Sequence, residues 1–342
     1  MSSNDVPAVV DEAWLTWIAE NLLKGEPAVD IAHELEVEGL SAAQALAAVE
    51  GVRRSPVFHA AYAVQVRALR AEMILRLERK RTRTLVIETM ETLDAERFQR
   101  CFRAANRPVL LPRFADDWPA RAKWSMAWFA EHFGHVNVQA MFGREDDEDY
   151  DRNHASLTKE TPLGEVIRRI EGEPQSNDFY VVARDGIMRG EAFASLHEDI
   201  TPPPGFFNRP LPPATALWLG PGGTVTPLHH DQSDILFTQL VGHKRVRLIA
   251  PAERSVAVAA RGLYGPALAS FETDEHLKDV RIHDFVLGPG DSLFIPFGWW
   301  HHITALEPAI SIAINAFEDA YNPWYQPGSL LKSQDAEHVT DN

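Results

Sequence analysis

The residues most able to do chemistry stand together at the end of the run Thr224-Val-Thr-Pro-Leu, as His229-His230-Asp231. In an extended strand residues i and i+2 share a face, so the His229 imidazole and the Asp231 carboxylate can hold one metal ion side by side, while His230 points away. Seventy residues further on, Trp299-Trp-His-His302 offers a third ligand, His301 or His302, and strand parity does not choose between them. Two imidazoles and one carboxylate from strands that pair across a barrel form a facial triad with open coordination positions, the set used by non-haem Fe(II) oxygenases. An isolated His-x-Asp is common by chance. Its weight therefore comes from the elements around it.

Those elements read as short strands. Residues 235–240 and 244–250 read as two strands, joined in a hairpin by Val241-Gly-His243. Gly288-Pro-Gly290 turns the chain into a strand over 291–296, and 309–317 alternates with Ile310, Ile312 and Ile314 on one face. Residues 107–113 form a strand that enters the sheet, and 178–184 form another. The proline-rich piece from Thr201 through Pro213 is an extended loop before a strand at 216–219. Many short strands punctuated by turns predict an all-β barrel or double sheet.

Three segments carry a family resemblance: Val225-Thr-Pro-Leu-His-His-Asp231, Gly242-His-Lys-Arg-Val-Arg-Leu-Ile-Ala-Pro251 and Gly290-Asp-Ser-Leu-Phe-Ile-Pro-Phe-Gly-Trp-Trp-His-His302. In order and spacing, residues 100–320 resemble the JmjC-type, cupin-like Fe(II)/2-oxoglutarate oxygenases, the group of the hypoxia-response asparaginyl hydroxylase and its bacterial relatives. The resemblance implies a double-stranded β-helix (jelly roll) with flanking helices. It also implies hydroxylation of a C–H bond with Fe(II), 2-oxoglutarate and O2, releasing succinate and CO2. It places the metal on His229, Asp231 and His301, because the family's ligand directly follows the aromatic pair. It places the distal carboxylate of 2-oxoglutarate on Lys244, 13 residues after Asp231. Parity agrees: with Lys244 inward, Arg245 and Arg247 point out, and a buried lysine demands an anion. Tyr180 and Thr226 resemble hydroxyl partners of that carboxylate, with a core tyrosine as the plainer reading of Tyr180. Asn315, Phe237 and Phe317 resemble pocket-lining residues. The chain departs from the asparaginyl hydroxylases at Ile235 and Val182, where polar residues contact substrate, so asparagine specificity does not carry over.

The substrate expected is a protein or peptide side chain. A small-molecule hydroxylase, a lysine demethylase working by the same C–H hydroxylation, and a non-catalytic metal- or ligand-binding cupin are the alternatives. The 342 residues, 45% hydrophobic, suffice for one large domain plus an extension, and the formal charge of −16 argues against a nucleic-acid partner. The single Cys101 forbids an internal disulfide and suits a reducing cytoplasm. No signal peptide or apolar span is legible, so no membrane association is expected.

Residues 1–84 read as a helical extension: apolar spacing from Trp14 to Leu22, a stop at Gly25, a second helix ending at Gly39, a cap at Ser41 and a new start at Pro56. Acidity and the few Arg or Lys before Arg53 argue against a DNA-binding helix-turn-helix. That leaves a packing element or the surface of a homodimer. The oxygenase domain is expected over 85–325 and a polar tail over 326–342. Within it, 94–100 starts a helix, Trp118, Trp124, Trp128 and Phe129 are core aromatics around a helix that ends at Gly134, and 145–151 holds six acids in seven residues. That block reads as a solvated loop or as a rim attracting a basic peptide.

Overall fold

The computed structural model describes residues 10–182, 187–212, 214–253, 255–256, 271 and 274–317. The expected 326–342 tail and the expected end of a strand at Arg184 lie outside them. The chain divides into two compact units, Met1–Arg81 and Thr82–Asn342.

The first unit is helical, with α1 (Glu12–Lys24), α2 (Ala28–Val37), α3 (Ala42–Arg54) and α4 (Pro56–Arg83). Local chemistry sets each boundary. The Trp14 N–H donates to the Asp11 side chain at 2.9 Å, and Gly25 closes α1 at φ 91°, a conformation that side chains other than glycine resist. Ser41 and Gln44 form a reciprocal capping box at α3. Ile18, Ile31, Leu35, Ala45 and Val49 make its core.

The second unit is a double-stranded β-helix. Its eight strands are β6 (Thr215–Gly220), β7 (Val225–His230), β8 (Ile235–Val241), β9 (Lys244–Ile249), β10 (Ile282–Leu287), β11 (Ser292–Ile295), β12 (Trp300–Ala305) and β13 (Ala309–Ile314). One sheet runs β11-β8-β13-β6 and is extended beyond β11 by β2 (Val109–Leu111) and β1 (Glu88–Thr89); the other runs β10-β9-β12-β7. A three-stranded sheet of β3 (Asn137–Phe142), β4 (Thr158–Pro162) and β5 (Phe179–Tyr180) joins β6 through a Val181–Leu219 bridge. Among the described residues, no helix is long and apolar enough to cross a membrane.

The hairpin expected at 241–243 does not form. β8 and β9 belong to different sheets, and Gly242, at φ 71°, turns the corner between them. A glycine with positive φ serves a corner as well as a hairpin, so the residue type could not distinguish the two.

Alternation on β13 separates two kinds of packing. Ile310, Ile312 and Ile314 enter the core beneath α5 (Met126–Phe133) and α6 (Leu163–Gly172), with Phe129, Phe133, Val166 and Ile170. Ser311 and Ala313 face inward, and their small size leaves room inside the jelly roll. Ala313 packs there with Phe237, Val246, Leu248, Leu293, Ile295 and Ile303.

Candidate metal centre

β7 and β12 are antiparallel neighbours, and His229 lies directly opposite His301. The two tryptophans of Trp299-Trp300 pack into opposite faces, Trp299 into the interior core and Trp300 against Leu228 and Ile249 outside. This fixes the rotation of β12 and turns His301 inward. His229 Nδ1–H donates to the Pro227 carbonyl at 2.8 Å, and His301 Nδ1–H to the Trp299 carbonyl at 3.0 Å. A carbonyl can only accept, so both protons sit on Nδ1 and each Nε2 carries its lone pair, as a metal ligand requires.

Those lone pairs converge on Asp231. His229 Nε2 is 4.0 Å from one carboxylate oxygen and His301 Nε2 is 3.7 Å from the other. The three ligand atoms lie within 4.8 Å of one another. Burial, and then the nearby His229, push the His301 pKa down to about 4, so its ring stays neutral and competent to ligate. Asp231 is 41% exposed, which leaves the centre open on one side. His230 and His302 face away: His230 meets Trp300 edge-on at 4.6 Å, and His302 lies 4.8 Å from Phe271. His301, not His302, therefore joins the cluster.

A β-bulge places the remaining polar groups. Ile303 pairs with Thr226 and His301 with His229, so three steps along β7 match two along β12. Strict alternation would put Thr226 and His229 on opposite faces; the extra residue lets both point inward. Pro227 sits in the bulge, where a strand tolerates a residue with no N–H to give the ladder.

Lys244 is 1% exposed. Its ammonium donates to the Tyr180 hydroxyl at 2.8 Å and to Ser311 Oγ at 2.7 Å. Among the described residues no carboxylate is hydrogen-bonded or ion-paired to it, and burial lowers its pKa to about 7. Burial likewise raises the Tyr180 pKa, so this phenol stays protonated, and Thr224 and Thr226 lie within hydrogen-bonding reach of it. The Phe237 ring centroid is 5.6 Å from Lys244 Nζ. Arg245, by contrast, faces outward and pairs with Asp284 at 2.6 Å.

The other expected residues fall as follows. Asn315 is exposed, one step past β13 on the inward face of Ser311 and Ala313. Phe317 is elsewhere, in an aromatic cluster with Phe98, Phe206 and Phe294. Ile235 and Val182 are buried. Ser311, Thr224 and Trp218 were missed by sequence reasoning. A serine between two isoleucines was the available signal for the first. Trp218, opposite Ser311 on β6 and 6.0 Å from the Phe237 ring, carried none.

Both halves of the site fit the groups that the sequence implied. Two neutral imidazoles and a carboxylate are a donor set for a divalent transition metal. An enclosed lysine bonded to two hydroxyls, with no counter-charge among the described residues, fits the carboxylate of a small acid.

A jelly roll with a His-Asp-His centre between its sheets defines a metal-binding cupin. A family model described as a cupin-like domain matches residues 95–329, and the chain belongs to that family. It is similar to Jumonji C domain-containing protein 5 of Drosophila melanogaster (29% identity, 66% of this chain and 59% of that protein). Lysine-specific demethylase 8 of Xenopus tropicalis is 27% identical over 64% of this chain and 50% of its own. The human bifunctional peptidase and (3S)-lysyl hydroxylase JMJD7 is 24% identical over 69% and 85% respectively. The chain thus spans between half and three fifths of the length of the first two. JmjC enzymes use Fe(II) and 2-oxoglutarate with O2.

Proposed function

We propose that this chain is an Fe(II)- and 2-oxoglutarate-dependent oxygenase that hydroxylates a C–H bond on a protein or peptide side chain. The observation that carries the reading is the pairing of two features in one jelly roll: the inward His229, Asp231 and His301, and the buried Lys244 bonded to hydroxyls, with no counter-charge among the described residues.

When bound, Fe(II) with 2-oxoglutarate and O2 supplies oxidative decarboxylation, giving succinate, CO2 and the oxidising power for hydroxylation. The chain's own part is binding and orientation. His229, Asp231 and His301 would hold the metal. Lys244, Tyr180, Thr226 and Ser311 would hold the distal carboxylate, beside Phe237 and Trp218.

A protein substrate is supported by the relatives named for action on lysine and by the acidity of this chain, which favours a basic partner. Lysine demethylation and small-molecule hydroxylation would use the same residues. The test is anaerobic titration with Fe(II) and 2-oxoglutarate, followed by their visible charge-transfer absorption, then succinate release with candidate peptides. Metal-dependent 2-oxoglutarate binding with turnover supports an oxygenase; no binding would make the chain a non-catalytic cupin.

The same reading assigns 85–325 to the oxygenase domain and a reducing cytoplasm to the single cysteine. It assigns the first unit to homodimerisation: α4 exposes Tyr62, Leu69, Met73 and Leu77 along one helix. Light scattering of the full chain, wild type against Leu69→Glu/Met73→Glu, tests that assignment. A monomeric wild type, or a dimer that survives the substitutions, rejects it.

A further inference from the structure

β7 is an edge strand of its sheet, and the edge it leaves open is closed by side chains. The Val225 carbonyl accepts from Arg144 Nη2 at 2.6 Å and from the Tyr150 hydroxyl at 3.0 Å, while the Val225 N–H donates to Asn177 Oδ1 at 2.9 Å. Arg144 Nη1 donates to the Asn177 carbonyl at 3.1 Å. Glu145 in turn accepts from the Asn177 N–H at 2.7 Å. Part of the acidic block is therefore built into the domain.

Arg144 is an unusual component of such a brace. It is 2% exposed, its guanidinium lies over the Tyr150 ring at 4.3 Å and within 5.2 Å of the Tyr180 ring, and its Nε meets no acceptor. Burial penalises this guanidinium and holds its pKa below the usual value, an effect that Tyr150, Tyr180, Asp151 and Asp178 offset only in part, so its place inside the domain costs stability. Val225, which it grips, lies between Thr224 and Thr226, whose hydroxyls reach Tyr180. The bulge at Pro227 then separates this stretch from His229.

We infer that Arg144 is a positioning residue for the cosubstrate end of the site: by gripping Val225 and backing Tyr180, it fixes the hydroxyls that complete the Lys244 pocket, while the bulge insulates the metal ligands. The inference rests on the oxygenase reading and deepens it. Arg144→Met removes the donors and keeps the bulk, Arg144→Lys restores one donor and the charge, and Tyr150→Phe removes the second bond to Val225 while keeping the ring that stacks on Arg144.

The experiment measures metal affinity and, separately, 2-oxoglutarate affinity in the presence of Mn(II), with circular dichroism to verify folding. The expected result is a 2-oxoglutarate Kd raised about tenfold or more in Arg144→Met, partly rescued in Arg144→Lys, and raised two- to threefold in Tyr150→Phe, with Mn(II) affinity changed less than threefold (magnitudes of lost charged and neutral hydrogen bonds). Equal loss of both affinities would reduce Arg144 to a general structural role, and an unchanged 2-oxoglutarate Kd would reject the inference. Should Arg144→Met not fold, the Lys and Tyr150→Phe variants decide by the same two affinities. A wild type that binds no 2-oxoglutarate would instead overturn the oxygenase reading itself.

Discussion

Lys244 Nζ and the Tyr180 hydroxyl, 64 residues apart in sequence, are 2.8 Å apart inside the jelly roll, and the ammonium there faces hydroxyls and aromatic rings in place of a carboxylate. The pair joins β9 to β5, bringing together two sheets that share no strand. A charge enclosed in this way costs the fold stability, and on the proposed function it serves the cosubstrate carboxylate. Stability and binding should therefore respond oppositely to its removal.

Lys244→Met is expected to raise the thermal midpoint of the cosubstrate-free protein, by the equivalent of about 1–3 kcal/mol, because an uncompensated buried charge is replaced by an apolar chain of similar length. The same variant should weaken 2-oxoglutarate binding about a hundredfold or more. Calorimetry and titration check the two halves. A variant less stable than wild type would mean that the bonds to Tyr180 and Ser311 outweigh the desolvation.

The lysine also sets a pH dependence. Burial lowers its pKa from 10.5 to about 7, so between those values the unfolded chain holds a proton that the folded chain lacks. Stability contributed at this position should then rise with pH across that window, by up to about 1.4 kcal/mol per unit. Lys244→Met should remove that slope. Binding runs the other way: a bound carboxylate favours the ammonium, proton uptake accompanies binding above about pH 7, and Kd rises by up to about tenfold per unit. Calorimetric titration in buffers of different ionisation enthalpy measures the uptake. A Kd flat from about pH 7 to 9 would contradict it.

At the metal centre, His229→Ala, Asp231→Ala and His301→Ala should each lower Fe(II) affinity by about a hundredfold or more, whereas His230→Ala and His302→Ala should change it less than tenfold. Equilibrium dialysis under anaerobic conditions distinguishes the two groups. A large loss in His302→Ala without one in His301→Ala would reverse the ligand assignment.

The acidic block divides into two sets. Glu145 bonds to Asn177, whereas Asp146 and Glu148 are exposed. If the block steers a basic peptide, Asp146→Ser/Glu148→Ser should raise the peptide KM severalfold at low salt, leave kcat and uncoupled 2-oxoglutarate turnover unchanged, and lose its effect at high salt. An unchanged KM assigns these residues to a solvated loop.

Much of this was readable from the residues themselves, because it depends on local alternation and local caps. The His229–Asp231 face, the inward Lys244 beside outward Arg245 and Arg247, and the helix limits at Gly25, Ser41 and Pro56 each follow from the chemistry of a few neighbouring residues. The family motifs supplied the fold and the choice of His301.

Pairing over long separations belonged to the tertiary structure alone. Gly242 has the same positive φ in a corner as in a hairpin, so only the partners of β8 and β9 decide which it makes. Thr226 and His229, three residues apart, share a face only because β12 imposes a bulge at Pro227. Ser311 and Arg144 gain their roles from neighbours 67 and 81 residues distant. Alternation is written in adjacent residues, whereas register and sheet membership are set by whichever distant strand packs against them.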